Sequence, residues 1–366
     1  MDQSRFVRMA GALIAAAAIV VGCSGSSSPS PASQAPASAA PASVTPASGA
    51  PASAGANATM PPVTLSKDVT IGVAFPQLDT FLGKLNDGLK AEADKLSASL
   101  GHKVTLNVQQ AFVNGQEDQA KQLSEVEDFI AQKVDAIIVI PVDTSAAQPM
   151  SDAAKAAGIP LVYVNRNPKI AGNPYIGSDS LYAGTVEMQQ LAKDAAATIA
   201  KTNAASYKGN VVILEGQVNN EAAVFRTQGC NDVVKATPGL QVTKTQAGDW
   251  MRDKGLSIME NWLQSGDQID IVCANNDEMA LGAIKAIQAA NKTGQILVGG
   301  VDATADAMAA MQAGTLDTTV FQNAKGQGSG GVDAALVLIS GGTVPSYVDV
   351  PYELVNKDNM SQYLNR

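Results

Sequence analysis

Asp135-Ala136-Ile137-Ile138-Val139-Ile140 is followed by an alanine-rich stretch at 146–157 and then by Ile159-Pro160-Leu161-Val162-Tyr163-Val164-Asn165. Two short apolar runs flanking a helical period read as strand, helix, strand, the pattern of a parallel sheet covered on both faces. The unit recurs. Asp270-Ile271-Val272-Cys273-Ala274-Asn275 precedes a helical stretch at 279–290 and then Ile296-Leu297-Val298-Gly299-Gly300-Val301-Asp302. In both copies a polar residue ends the second strand. In open α/β sheets, ligands gather outside the carboxyl ends of the strands. Two such units facing each other aim two sets of polar residues into one cleft.

Outward from these copies the alternation continues. Strands are predicted at 69–75 and 104–108, with an amphipathic helix at 81–100 (Leu82, Leu85, Leu89, Ala93 and Leu96 on its apolar face) and another at 116–132. The second half repeats this with strands at 210–214 and 240–247 and helices at 222–235 and 252–264. The stretch from Lys67 to Arg366 is about 300 residues, at or above the size where one core splits into domains. The expected fold class is therefore α/β with two lobes, each on its own parallel sheet.

The N-terminus reads as an export segment. Arg5 and Arg8 precede an apolar run at 10–21, which at about a dozen residues is shorter than the roughly 20 that a membrane span needs. Val20-Val21-Gly22-Cys23 resembles the lipobox of bacterial lipoproteins. That resemblance implies cleavage after residue 22 and diacylation of the Cys23 thiol, with a plain signal segment as the alternative. Residues 23–66 carry recurring Pro-Ala-Ser units at Pro31, Pro36, Pro41, Pro46 and Pro51. Such a composition cannot build a core and reads as an extended spacer.

Charge and composition exclude several functions. A net charge of −9 argues against a nucleic-acid partner. His102 is the single histidine and thiols are not clustered, so neither a zinc site nor a Ser-His-Asp triad is expected, and no cofactor. Export permits a disulfide between Cys230 and Cys273; buried free thiols are the alternative. Gly326, Gly328 and Gly331 fit a Gly-x-Gly-x-x-Gly string, but it lies far from the first strand, where a dinucleotide fingerprint belongs.

Strand ends and the loops after them supply the candidate site: Asp79 and Phe81, Asn165 and Arg166, Arg226, Trp250, Asn276 and Asp277, Asp302, and Gln322. Asp, Asn, Gln and Arg can bond a hydroxyl bidentately, and an aromatic face covers the C–H side of a sugar ring. Each has a plainer reading. Trp250 can be core packing, Arg226 a solvated helix residue, and Asp302 a helix cap; Asp277 is expected to cap the helix that follows, leaving Asn276 for ligand.

Four motifs then carry a family resemblance: Asn276-Asp277-Glu278-Met279-Ala280-Leu281-Gly282-Ala283, Gly299-Gly300-Val301-Asp302, Ala247-Gly248-Asp249-Trp250 leading to Gly255-Leu256, and Ala157-Gly158-Ile159-Pro160 leading to Asn165-Arg166. From about residue 69 onward the chain is similar to the ribose- and galactose-type periplasmic binding proteins, type I. The resemblance implies a non-enzymatic binder with two Rossmann-like lobes joined by a three-segment hinge, near Ser178-Asp179, Gln322-Asn323 and Pro351-Tyr352. It places one lobe at 67–178 plus 323–351 and the other at 179–322 plus 352–366. It also implies a monosaccharide or cyclitol held between Phe81 and Trp250. Asp79, Asn165 and Arg166 would bond it from one side, and Arg226, Asn276 and Asp302 from the other, with Gln322 near a hinge. An ABC permease is the implied partner of a monomer anchored to the membrane by its lipid; a membrane receptor is the rival partner. The chain has Asn165-Arg166 where ribose binders have Asp-Arg, and Phe81-Leu82 where they have paired phenylalanines; the Asn-Arg pair and the Trp in place of a Phe lean toward a six-membered ring.

Overall fold

A computed structural model of the chain describes residues 60–198 and 208–364, all within one compact unit, Ala52–Arg366. The expectations for the signal segment, Cys23 and the spacer up to residue 59 lie outside the described residues.

Elements are numbered along the chain. The first sheet holds β1 (Val69–Phe75), β2 (Val104–Gln110), β5 (Ala136–Val139), β6 (Leu161–Val164), β7 (Tyr175–Gly177) and β13 (Tyr347–Asp349), in the order β13-β7-β6-β5-β1-β2. The second holds β8 (Gly209–Glu215), β9 (Leu240–Ala247), β10 (Ile271–Ala274), β11 (Leu297–Gly299), β12 (Thr318–Phe321) and β14 (Glu353–Asn356), in the order β14-β12-β11-β10-β8-β9. The two orders are the same doubly wound pattern, with strand order reversing beside β1 and beside β8. Every pairing in the two sheets is parallel except the edge strand β14, which runs antiparallel to β12. A two-stranded hairpin, β3 (Phe112–Val113) with β4 (Gln116–Glu117), stands apart.

Buried apolar runs make these strands. All four residues of β5 and of β10 are buried, which is why their sequences do not alternate. The two copies are pinned alike. Asp135 Oδ2 accepts from the Thr70 N–H at 2.8 Å, and Asp270 Oδ2 accepts from the Asn210 N–H at 2.8 Å. Each carboxylate ties the start of one strand to its neighbour.

Helices cover both faces of each sheet. On the first sheet, α1 (Thr80–Leu100) and α9 (Ala324–Ile339) pack over Val73, Ile138 and Val164, while α2 (Gln119–Ala131) and α3 (Gln148–Ala156) pack over Ile137 and Tyr163. On the second, α6 (Arg252–Gln264), α7 (Asp277–Ala289) and α8 (Ala305–Gln312) cover Val212 and Val272, and α4 (Ser180–Thr198) and α5 (Glu221–Ala236) cover Val211 and Ile213. Each fully buried Ile, Leu or Val side chain contributes about 1.5–3 kcal/mol to this core.

The glycine string at 326–331 lies inside α9. A Cβ on Gly328 would strike the Leu85 carbonyl of α1, and one on Gly88 would strike the Lys325 backbone. These glycines let two helices approach backbone to backbone and serve packing, not phosphate binding.

The chain passes between the sheets three times: from β7 to α4 at 178–179, from β12 to α9 at 322–323, and from β13 to β14 at 350–352. Ser178 Oγ at the first crossing donates to the Val350 carbonyl at the third, and accepts from Gln327 Nε2 at 2.9 Å. The first and third crossings are thereby bonded directly, and the first also to the helix that follows the second.

Cys230 on α5 and Cys273 on β10 are joined as a disulfide, Cα to Cα 6.8 Å, beneath the second sheet. The Glu187 carboxyl lies within 4.8 Å of both sulfurs. It is fully buried, and one oxygen accepts from the Ala274 N–H at 3.1 Å.

Two expectations are corrected. The helix expected at 116–132 starts at Gln119, capped by Asp118, because Gln116 and Glu117 pair in the hairpin instead. The cap of α7 is Asn276, whose side chain accepts from the Met279 N–H; Asp277 is the first helical residue and turns inward.

Candidate functional site

The carboxyl ends of the two sheets face one cleft, with about 410 Å³ of space including its open mouth. It is lined by Asp79, Phe81, Asn165, Arg166, Arg226, Trp250, Asn276, Asp302 and Gln322, together with Leu82, Asn220 and Ala222. Of the residues that strand-end reading selected, the structure brings all but Asp277 to this cleft; Asp277 is fully buried and does not line it.

From the first lobe, Asp79 ends the loop after β1 and caps α1, accepting from the Leu82 N–H at 2.7 Å. Burial pushes its carboxyl above the ordinary value of 3.8, against the pull of that N–H and of Arg166. Asn165 follows β6 in the left-handed region, φ 67°, with its Nδ2 donating to Gln327 Oε1 at 2.9 Å. Arg166, 5% exposed, donates through Nη1 to Glu117 at 3.2 Å and to the Pro141 carbonyl at 2.9 Å. The hairpin therefore supplies this guanidinium's counter-charge, and Arg166 reaches the cleft already neutralised.

From the second lobe, Arg226 projects from α5 and is 4% exposed. It donates to the Asn275 carbonyl at 2.7 Å and to Gln322 Oε1 at 3.0 Å. Its guanidinium carbon lies 5.7 Å from the Trp250 ring centroid and 5.5 Å from that of Tyr352. Trp250 has φ 69°, an outlier for a bulky residue. Its indole lies on Gly216, where any Cβ would collide with the ring. Asn276, besides capping α7, donates from Nδ2 to the Trp250 carbonyl at 3.2 Å and so fixes the loop that carries the indole. Asp302, φ 122°, is 9% exposed, and burial pushes its carboxyl well up against the opposing pull of Arg226.

Three of these residues, Asn165, Trp250 and Asp302, hold backbone conformations that cost on the order of 1–3 kcal/mol each. Two polar atoms on cleft residues, Arg226 Nε and Trp250 Nε1, are buried without a hydrogen-bond partner. Unmet donors on cleft residues are what an oxygen-rich molecule can satisfy.

The lobes also touch at the cleft's rim. Thr144 Oγ1 donates to the Asn219 carbonyl at 3.2 Å, and Lys169 Nζ sits 4.0 Å from the Phe225 ring centroid. Glu221 joins them: burial pushes its carboxyl up to about 7, opposed by Lys169 and Arg226. A larger hollow of about 950 Å³, again including its mouth, adjoins the cleft past Phe81, Asp302 and Gln322 and is bordered by Lys84 and Lys325. It lacks Trp250 and Arg226, so the cleft is the better candidate site.

Strand-end reading did not select Asn220 or Tyr352. Asn220 caps α5 and is 1% exposed; the polar run before that helix was its only signal. Tyr352 reaches Arg226 from the third crossing, a contact that no local pattern announces.

Residues 71–343 match the family described as periplasmic binding protein domain. A Rhizobium meliloti protein named, provisionally, for rhizopine binding is 40% identical over 303 residues, covering 80% of this chain and 92% of that protein. The ribose import binding protein of Bacillus subtilis is 35% identical over 290 residues, 79% of this chain and 87% of its own. A crystal structure of an ABC transporter solute-binding protein from Bacillus halodurans with bound myo-inositol has a TM-score of 0.72 at 37% identity, covering 82% of this chain and 98% of that one. The match takes in both lobes and every strand that carries a cleft residue, and the chain belongs to the periplasmic binding protein domain family, whose members here are solute-binding proteins.

Proposed function

We propose that the chain captures a monosaccharide or cyclitol in the cleft and delivers it to an ABC import permease. The observation that carries this reading is the convergence, from both lobes, of two aromatics (Phe81 and Trp250) with Arg226, Asn276, Asp302, Asn165 and Arg166 around one space. Aromatic faces suit the C–H side of a ring, and carboxylates, amides and guanidinium groups suit its hydroxyls. The relatives named for rhizopine and ribose, and the structure holding myo-inositol, support the same class.

Closure is the working step. A ligand that touches both lobes favours the closed form, and moving the population from 1:99 to 99:1 takes about 5.5 kcal/mol of differential binding. A handful of bidentate hydrogen bonds and two ring contacts are sufficient for that. No covalent chemistry is involved. In this reading residues 67–178 plus 323–351 form one moving lobe and 179–322 plus 352–366 the other. Diacylated Cys23 holds the protein at the outer face of the cytoplasmic membrane as a monomer, with the Ala/Pro/Ser spacer keeping the body clear of the lipid.

A thermal-shift screen of the purified chain against pentoses, hexoses, inositols, polyols and amino acids tests this. The expected result is a raised melting temperature with one or more sugars or cyclitols. A shift with amino acids alone would overturn it.

A further inference from the structure

We infer that Asp277, buried behind the cleft wall, is the positioning residue that holds Asp302 where the ligand meets it. The inference rests on the proposed cargo for its affinity arm only. Asp302 and Ala303 are consecutive non-glycine residues with φ of 122° and 52°. Conformations of this kind persist only where the surroundings over-determine them.

Asp277 is what over-determines this corner. Fully buried, it directs one carboxylate oxygen to the Thr304 N–H, accepting at 2.7 Å, and the other to Thr319 Oγ1, also accepting at 2.7 Å. Thr319 Oγ1 in turn accepts from the Ala303 N–H at 3.2 Å. Backbone bonds complete the frame: Asp277 N–H donates to the Val301 carbonyl and Asp302 N–H to the Val320 carbonyl, each at 2.8 Å. One carboxylate thereby ties the start of α7, the corner after β11 and the strand β12 around the residue that projects into the cleft. Capping does not explain it, because Asn276 caps α7 and Thr304 caps α8. Burial pushes the Asp277 carboxyl up to about 7, a cost that the corner's hydrogen bonds oppose.

The test has two arms on the full chain. In the first, hydrogen–deuterium exchange of the ligand-free protein compares wild type with Asp277→Ala, Thr319→Val and Asp277→Asn. Loss of a buried hydrogen bond to a charged group predicts exchange at 302–304 faster by about tenfold or more in Asp277→Ala, with β1 unchanged. Thr319→Val, nearly isosteric, is expected to give a smaller selective rise and keeps the test open if Asp277→Ala does not fold. Asp277→Asn can still accept from the Thr304 N–H and is expected to stay near wild type. Unchanged exchange at 302–304 in both Asp277→Ala and Thr319→Val would overturn the inference, whatever the cargo proves to be.

In the second arm, calorimetry uses the tightest binder among myo-inositol, D-ribose and xylitol. Asp277→Ala is expected to weaken binding by about tenfold or more, and to change it by less than about twofold once Asp302 is already Ala, since a residue acting through another is non-additive with it. An equal loss in both backgrounds would reduce Asp277 to general support of the fold.

Discussion

Arg226 Nη2 donates to the Tyr352 hydroxyl at 2.6 Å. The same nitrogen reaches Gln322 Oε1 at 3.0 Å, so a guanidinium in the cleft wall is bonded to two of the three segments that cross between the lobes. A ligand held by Arg226 is therefore coupled directly to the hinge.

Removing this group should abolish high-affinity binding. Truncating one member of a buried, hydrogen-bonded charge cluster costs on the order of 2–5 kcal/mol, so Arg226→Ala is expected to weaken cargo binding by about thirtyfold or more. Tyr352→Phe removes one net hydrogen bond and is expected to cost about three- to tenfold. Calorimetry measures both, and a neutral Arg226→Ala would move the cargo out of this cleft.

Trp250 offers an optical reading of the same space. The chain has two tryptophans, and the other, Trp262, is 5% exposed in the core of the second lobe. A change in tryptophan emission on adding cargo is expected in wild type and should disappear in Trp250→Phe. Persistence of the full change in that variant would place the ligand away from the indole.

Glu187 predicts a pH dependence of stability. Burial holds its carboxyl well above the ordinary value of 4.5, against the Ala274 N–H and Arg226. The folded chain thus keeps a proton that the unfolded chain releases. The stability linked to this group is complete below about pH 4.5 and is lost as pH rises toward the folded value, by at most about 1.4 kcal/mol per pH unit. Glu187→Gln should therefore match wild type near pH 4 and exceed it in thermal midpoint by a margin that grows toward pH 8. A margin independent of pH would contradict this.

The Cys230–Cys273 disulfide closes a loop with a sequence separation of 43, a span for which loop-closure entropy predicts about 4 kcal/mol of stabilisation, with engineered cases often giving less. Urea unfolding of Cys230→Ala/Cys273→Ala is expected to show a loss of about 2–4 kcal/mol. Equal midpoints for wild type and the double variant would refute it.

The elements that read cleanly in the sequence are those whose burial is uniform or whose period is strong. Strand β1, with six of its seven residues buried, and helix α6 were legible residue for residue. What stayed hidden had weak contrast. Strand β7 is three residues long, and α4 and α9 are rich in Ala and Gly and buried over much of their surface, so no polar face marks their period. Most of the cleft residues were legible because they follow a strand in a doubly wound sheet; Arg226, inside α5, is the exception. Their supports were not. Glu117 meets Arg166 from a separate hairpin, Gln327 bonds Asn165 from the far end of the chain, and Asp277 faces inward to Thr304 and Thr319. Such contacts depend on tertiary approach, which spacing along the chain does not encode.

The most direct measurement is a crystal structure of the chain with the tightest-binding sugar or cyclitol from the screen. One ring is expected between Phe81 and Trp250, with its oxygens bonded by Arg226 and Asp302 from one lobe and by Asn165 or Arg166 from the other. A ring seated in the hollow beside Lys84 and Lys325, or touching a single lobe, would contradict it.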